Sequence, residues 1–114
     1  MEERIFSKYA RILNRFEYPD VYRPLVRHDY MLVYLRHIQN FVNDRLKVRG
    51  HVSILEVYEL LGLSTERIID STDGWDYDHG NGYIDFGIYD IYNSTNKDFI
   101  NGLGDIIVLD FNVD

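Results

Sequence analysis

The sequence predicts an α+β domain in which N-terminal helices pack on one face of a small antiparallel β-sheet built by a C-terminal meander. Apolar residues recur at helical spacing through the first half, the period then falls to two, and Gly, Asn, Asp and Ser crowd the second half. The chain has 114 residues, 46% hydrophobic and 15% aromatic, which suits one domain, 1–114, with one core.

Taken in order, Ile5, Phe6, Tyr9, Ile12, Leu13 and Phe16 follow a helical period and predict a first helix over residues 3–16. Its other side would carry Arg4, Lys8, Arg11 and Arg15 as a basic stripe. "EYPDVYRP" holds both prolines and reads as a connection, so residues 1–18 are expected to form a separable basic helix. Met31, Tyr34, Leu35, Ile38, Phe41, Val42 and Leu46 form the apolar stripe of a second, longer helix that ends before Gly50. In "SILEVYELLG", Ser53 and Glu56 have capping-box spacing, Val57, Leu60 and Leu61 make the apolar face, and Gly62 terminates a short helix. "STERI" adds one turn with Ser64 as its cap.

Strands follow. The first is expected around Trp75 to Tyr77. "YIDFGIYDIY" then alternates Ile84, Phe86 and Ile88 against Tyr83, Asp85 and Gly87, and "DIIVLDFNV" alternates Ile107, Leu109, Phe111 and Val113 against their neighbours. "NSTNKDFINGLG" between them is read as a loop, which makes the pair antiparallel.

The net charge of −7 is unevenly spread. Residues 1–50 carry ten Lys/Arg against six Asp/Glu, a net +4, whereas residues 51–114 carry two against thirteen, a net −11. Such a split points to contacts with charged partners. Asp73, Asp76, Asp78, Asp85 and Asp90 are the candidate acidic contacts for a basic protein surface, and Arg4, Lys8, Arg11 and Arg15 the candidate basic contacts, with nucleic acid a conceivable ligand of that helix. Ten tyrosines is a high number for so short a chain; Tyr83, Tyr89 and Tyr92 cluster with the acids and are the candidate aromatic interface.

"DGWDYDHGNGYID" resembles a calcium loop until its spacing is tested. With Gly82 as the fixed glycine of an EF-hand, Asn81 stands at a ligand position, but His79 and Tyr77 occupy the two before it and Ile88 the closing one. Asp76 and Asp78 are out of phase by one. Asn-Gly reads better as a turn. A weaker possibility is that Asp76 and Asp78 point to the same side of a strand and meet Asp85 across "HGNG". No metal and no cofactor is expected.

With no Cys, thiolate nucleophiles, thiolate zinc sites and disulfides are excluded. His28, His37, His51 and His79 lack metal-ligand spacing, G-x-S-x-G is absent, and neither "GNG" nor "GLG" links a strand to a helix as a phosphate loop would. No catalytic residue is assigned, and the expectation is a protein that is not an enzyme. Neither a signal peptide nor an apolar run of membrane-spanning length is visible, which makes the cytoplasm the expected location, with no membrane partner.

"SILEVYELLGL", "GWDYD", "NGYIDFGIYD" and "VLDFNVD" together resemble a group of small uncharacterised proteins of bacteriophages and prophages of Firmicutes, over about residues 50–114 and not over residues 1–27. The resemblance implies a phage setting and transfers no activity. In that setting the expected function is stoichiometric inhibition of a host defence protein, a nuclease or CRISPR effector for example. Acidic rows would imitate the phosphates that its basic nucleic-acid site binds, as an anti-CRISPR-like nucleic-acid mimic in the host cytoplasm. The alternative is a virion or assembly component acting through the basic helix, with a homo-oligomer possible. A divalent-metal-binding enzyme ranks last.

Overall fold

The computed structural model describes residues 6–15, 28–66, 68, 72–79 and 82–113. Over these residues the order is β1 (Arg11–Asn14), α1 (His28–Arg49), β2 (His51–Ser53), α2 (Ile54–Leu61), β3 (Gly74–Asp76), α3 (Ser94–Ile100) and β4 (Ile106–Leu109). The class is α+β, as expected, with antiparallel pairs β1–β4 and β2–β3. The chain divides into two compact units, the first comprising residues 1–33 and 85–112 and the second residues 34–84 with 113–114. The division falls inside α1.

In the first unit the predicted helix over 3–16 is replaced, across the described residues, by a turn and then β1. Arg11 pairs with Leu109, Ile12 with Val108, Leu13 with Ile107 and Asn14 with Ile106. The physical reason is tertiary. A helix of about four turns is marginal alone, whereas a strand here gains ladder bonds and cross-strand contacts with the apolar run of β4. Arg15 prolongs the pairing, since its backbone N–H donates to Asp105 O at 2.9 Å. Tyr9 and Leu13 are buried, and Ser7 N–H donates to Asp110 Oδ1 at 2.8 Å, so residues 6–15 are tied into the unit.

Asp85 and Phe86, where a regular strand was expected, pair with the residues that continue the chain beyond β4. Asp110 N–H donates to Phe86 O at 2.9 Å and Asn112 N–H to Asp85 O at 3.1 Å, an antiparallel pairing. It stops at Gly87, whose φ of 71° turns the chain away. An added Cβ there would come within 3.0 Å of Asp110 O. Where the ladder fails, Asn96 replaces it. Its side chain is fully buried; Oδ1 accepts from Val108 N–H at 2.7 Å, and Nδ2 donates to Val108 O at 2.9 Å, with Gly87 O and Ile88 O at 3.2 and 3.3 Å. One side-chain amide thus does the work of a peptide group. Asn96 sits in α3, an element that falls in the stretch read from sequence as a loop. Asn93 caps α3 by accepting from Asn96 N–H, and Phe99 seals it into the core beside His28, with ring centroids 4.9 Å apart.

The second unit holds α1 from Tyr34 onward, β2–β3 and α2. Ser53 and Gly62 cap α2 as its sequence requires, with Ser53 Oγ accepting from Glu56 N–H at 3.1 Å. Ile54, Val57, Tyr58 and Leu61 are its buried face. Ser64 Oγ likewise accepts from Glu66 N–H at 3.4 Å in the following turn. Gly74 is required by close approach, because a Cβ there would lie 2.1 Å from Val52 O. Asn43 repeats the device seen in the first unit: its Nδ2 donates to Ile84 O at 2.8 Å and its Oδ1 accepts from Ile84 N–H at 2.7 Å.

Candidate functional site

The candidate acidic residues are distributed over both units. In the second, Asp73 precedes β3, Asp76 ends it and Asp78 follows it. Backbone pairing with β2 sets their positions: Ile54 N–H donates to Asp73 O at 2.8 Å, and Tyr77 N–H to Gly50 O at 2.9 Å. β3 ends at Asp76, and His79 N–H donates to Asp76 O at 3.2 Å, so Asp78 belongs to the turn that follows. The strand alternation expected of Asp76 and Asp78 is therefore absent. Asp76 Oδ1 accepts from His51 Nδ1 at 2.8 Å across the β2–β3 pair, with both side chains about half exposed. That pair was missed in the sequence, where nothing links residues 25 positions apart. Asp78 is exposed.

Asp85 and Asp90 belong to the first unit and do two things at once. Asp85 Oδ1 accepts from Gly87 N–H at 2.8 Å and Asp90 Oδ1 from Tyr92 N–H at 2.9 Å. Each bond satisfies a backbone donor in an Asx turn. Asp90 N–H to Gly87 O and Asn93 N–H to Asp90 O, at 3.5 and 3.0 Å, complete a tight double turn. On it stand Tyr89, Ile91 and Tyr92, 52, 72 and 79% exposed. The third candidate ring, Tyr83, is half exposed in the second unit. The first unit therefore presents a firmly held Tyr-Asp-Ile-Tyr tip.

The basic stripe takes a different form. Arg4 lies outside the described residues. Arg11 and Arg15 share one side of a strand with Leu13, and Lys8 lies before that strand with its Nζ 5.0 Å from the Tyr9 ring centre. Arg15 Nε donates to Asp105 Oδ1 at 2.8 Å. A cleft of about 400 Å³ in the same unit is lined by Arg15, His28, Asp29, Leu32 and the turn Ile100 to Gly102. Its two strongest donors are engaged, Arg15 as above and His28 by donation from Nε2 to Gly104 O at 2.6 Å.

Among the described residues no group of three or more His, Asp or Glu is arranged to hold a metal ion, and no helix is long and apolar enough to cross a membrane. Residues 11–114 match the profile of a family described as a family of unknown function, DUF6353. The match reaches back to β1, beyond the stretch over which the sequence resemblance was drawn. The chain matches no curated protein and no solved structure.

Proposed function

The chain belongs to DUF6353, a family of unknown function that spans nearly all of it, and we propose that it is a small binding protein working by occupancy rather than turnover. The reading is that of a phage-encoded inhibitor that covers the basic nucleic-acid site of a host defence protein in the host cytoplasm. The observation that carries it is the tip from Tyr89 to Tyr92. There two tyrosines and an isoleucine are exposed on a turn that Asp90 itself fastens, within a stretch, residues 85–112, that carries five Asp against one Lys. Rigid aromatic rings supply contact area at little entropic cost, and surrounding carboxylates steer the tip toward a basic surface. The phage setting rests on the sequence resemblance. The assembly reading rests on a basic helix over residues 3–16, of which the described residues 11–14 form β1.

Capture of partners on the immobilised protein from phage-infected lysate tests the proposal. A nucleic-acid-binding protein that elutes with raised salt and with added DNA is the expected catch. Capture that persists unchanged in high salt and with the Tyr89→Ala, Tyr92→Ala and Asp90→Asn variant would overturn it.

A further inference from the structure

Asparagine is followed by glycine at two places in the chain, Asn81–Gly82 and Asn101–Gly102. The pairing matters chemically. The backbone nitrogen after an asparagine can attack that asparagine's own Cγ and close a five-membered ring, and glycine, with no Cβ beside its nitrogen, hinders the attack least. Asn81 lies outside the described residues. Asn101 ends α3 in an exposed position, and among the described residues no hydrogen bond holds its side-chain amide. The closed backbone, however, opposes the reaction. Asn101 has ψ 2°, which places Gly102 N on the side of its own N–H, away from Cβ and therefore from Cγ. Ring closure needs a rotation about ψ that carries Gly102 N across to Cβ. Gly102 N–H donates to Phe99 O at 3.0 Å, and Leu103 N–H and Gly104 N–H both donate to Asp98 O, at 2.8 and 3.2 Å. All three donors lie beyond the bond that must rotate, and both acceptors lie before it, so the rotation breaks the last turn as a unit.

We infer that Asn101 is a self-modification site, at which the chain converts its own asparagine to isoaspartate and aspartate whenever the last turn of α3 opens. Gly102 N gives its proton to solvent base and bonds to Asn101 Cγ. The Cγ–Nδ2 bond then breaks, and the nitrogen takes a proton from water and leaves as ammonia. Water opens the resulting succinimide at either carbonyl: attack at the side-chain carbon gives aspartate, and attack at the backbone carbon gives isoaspartate. No oxidant and no second protein takes part. Either product sets a new carboxylate in the cleft that Asn101 lines with Arg15, His28 and Asp29. Isoaspartate also moves Cβ into the main chain, so the bonds to Phe99 O and Asp98 O cannot all re-form. Gly104 O, which accepts from His28 Nε2 at 2.6 Å, then loses its fixed place. The change runs one way, so the modified fraction records how often this turn has opened.

Peptide mass mapping of the full chain, held at mildly alkaline pH either folded or unfolded in guanidinium, tests the inference. Cleavage after Lys97 separates the two Asn-Gly pairs, so each is read on its own peptide. The expected product at Asn101 has the mass of –OH in place of –NH2 and splits on chromatography into isoaspartate and aspartate forms. It should form in both states, and roughly tenfold or more slowly in the folded chain, because three hydrogen bonds must open first. Leu103→Pro removes one of the three donors while leaving Asn101 and Gly102 in place. Leu103 is 79% exposed, so its side chain is no loss to the core, and modification of this variant should run severalfold faster than in the folded parent. Should the variant not fold, exchange of the Leu103 amide in the parent decides instead: it should rise in step with the modification rate as guanidinium is raised below the unfolding transition. An Asn101 that stays unmodified in the folded chain overturns the inference, whether or not it reacts when unfolded. Modification as fast folded as unfolded also overturns it, and so does a folded Leu103→Pro chain that reacts no faster than the parent or a rate that rises without Leu103 exchange.

Discussion

Replacing Asn96 by Ala should be among the most damaging single changes outside the large hydrophobic residues. The side chain is fully buried, and it satisfies both backbone groups of Val108, at 2.7 and 2.9 Å. Truncation leaves that N–H and that C=O buried without their partner. Each such group costs about 1–3 kcal/mol, so the pair comes to roughly 2–6 kcal/mol. The small cavity adds to this. A domain of this size has a net stability of only about 5–15 kcal/mol. The expected loss is therefore at least about 3 kcal/mol, and Tm should fall by roughly 10 °C or more. Asn43→Ala removes two bonds to Ile84 at 2.8 and 2.7 Å, but Asn43 is only half buried, and water can take its place at a smaller cost, about 1–2 kcal/mol. Urea melts followed by circular dichroism and by Trp75 fluorescence measure both. The sole tryptophan lies in the other unit from Asn96, so coincident curves show that the two units unfold together and that one free energy describes them. Asn96→Ala within about 1 kcal/mol of the parent, with the Val108 amide as slow to exchange as before, would refute the surrogate-peptide account.

Other expectations are simpler to state. Gly87→Ala should cost about 1–2 kcal/mol for its left-handed φ of 71° and more for its contact with Asp110 O, read by a thermal melt; a neutral effect would mean that the turn relaxes. Asp76→Asn, Asp78→Asn and Asp90→Asn keep a side-chain oxygen to accept hydrogen bonds, so they should leave Tm nearly unchanged while weakening any captured complex and flattening its salt dependence. Binding indifferent to all three would remove charge from the explanation, given that exposed pairs are screened over about 8–10 Å near physiological salt. Melts with EDTA and with excess Ca²⁺ should coincide, and a Ca²⁺-dependent rise approaching the roughly 2.7 kcal/mol of a ligand at 100 times its Kd would contradict the reading of "DYDHGNGYI" as turns.

The elements legible in the sequence were those whose cause is local. α2 begins and ends where Ser53 and Gly62 place it, because a cap acts on its own helix. α1 stops at Arg49, before Gly50, for a similar reason. β4 stands within the period-two run that predicts it, and β3 lies within one residue of the strand expected around Trp75 to Tyr77. Three misreadings have non-local causes. Residues 11–14 repeat apolar groups with a helical period, yet they are held as a strand by β4, some ninety positions away in the chain. α3 is hidden in a stretch full of Ser, Thr, Asn and Gly, because its first turn depends on the Asn93 cap and its place on the burial of Asn96 and Phe99. The segment after Ile84 alternates like a strand but is cut short by Gly87. Tyr89, Asp90 and Tyr92 were legible as candidates because aromatic and acidic residues adjoin in the chain; the firmness of the turn beneath them was not.

That firmness links the fold to the proposed function. A loop that carries exposed aromatic rings ordinarily loses conformational freedom on binding, at about 0.5–1.5 kcal/mol for each immobilised side chain and more for the backbone. Here the backbone part is settled beforehand. Asp85 and Asp90 each hold an N–H two residues on, and the same turn is anchored at Gly87 and Ile88 by Asn96 from the core side. The polar residues that most disturb the strand pattern of this segment are thus the ones that fix its tip. If the tip is the binding element, Asn96→Asp separates stability from recognition poorly, since a buried carboxylate would face three carbonyls. Asp90→Ala separates them well. It removes one charge and one bond at an exposed turn, so it should cost about 1 kcal/mol in stability at most yet loosen Tyr92 and weaken partner binding beyond what Asp90→Asn does. Equal binding by Asp90→Ala and Asp90→Asn would show that charge alone matters there and that preorganisation of the turn contributes nothing.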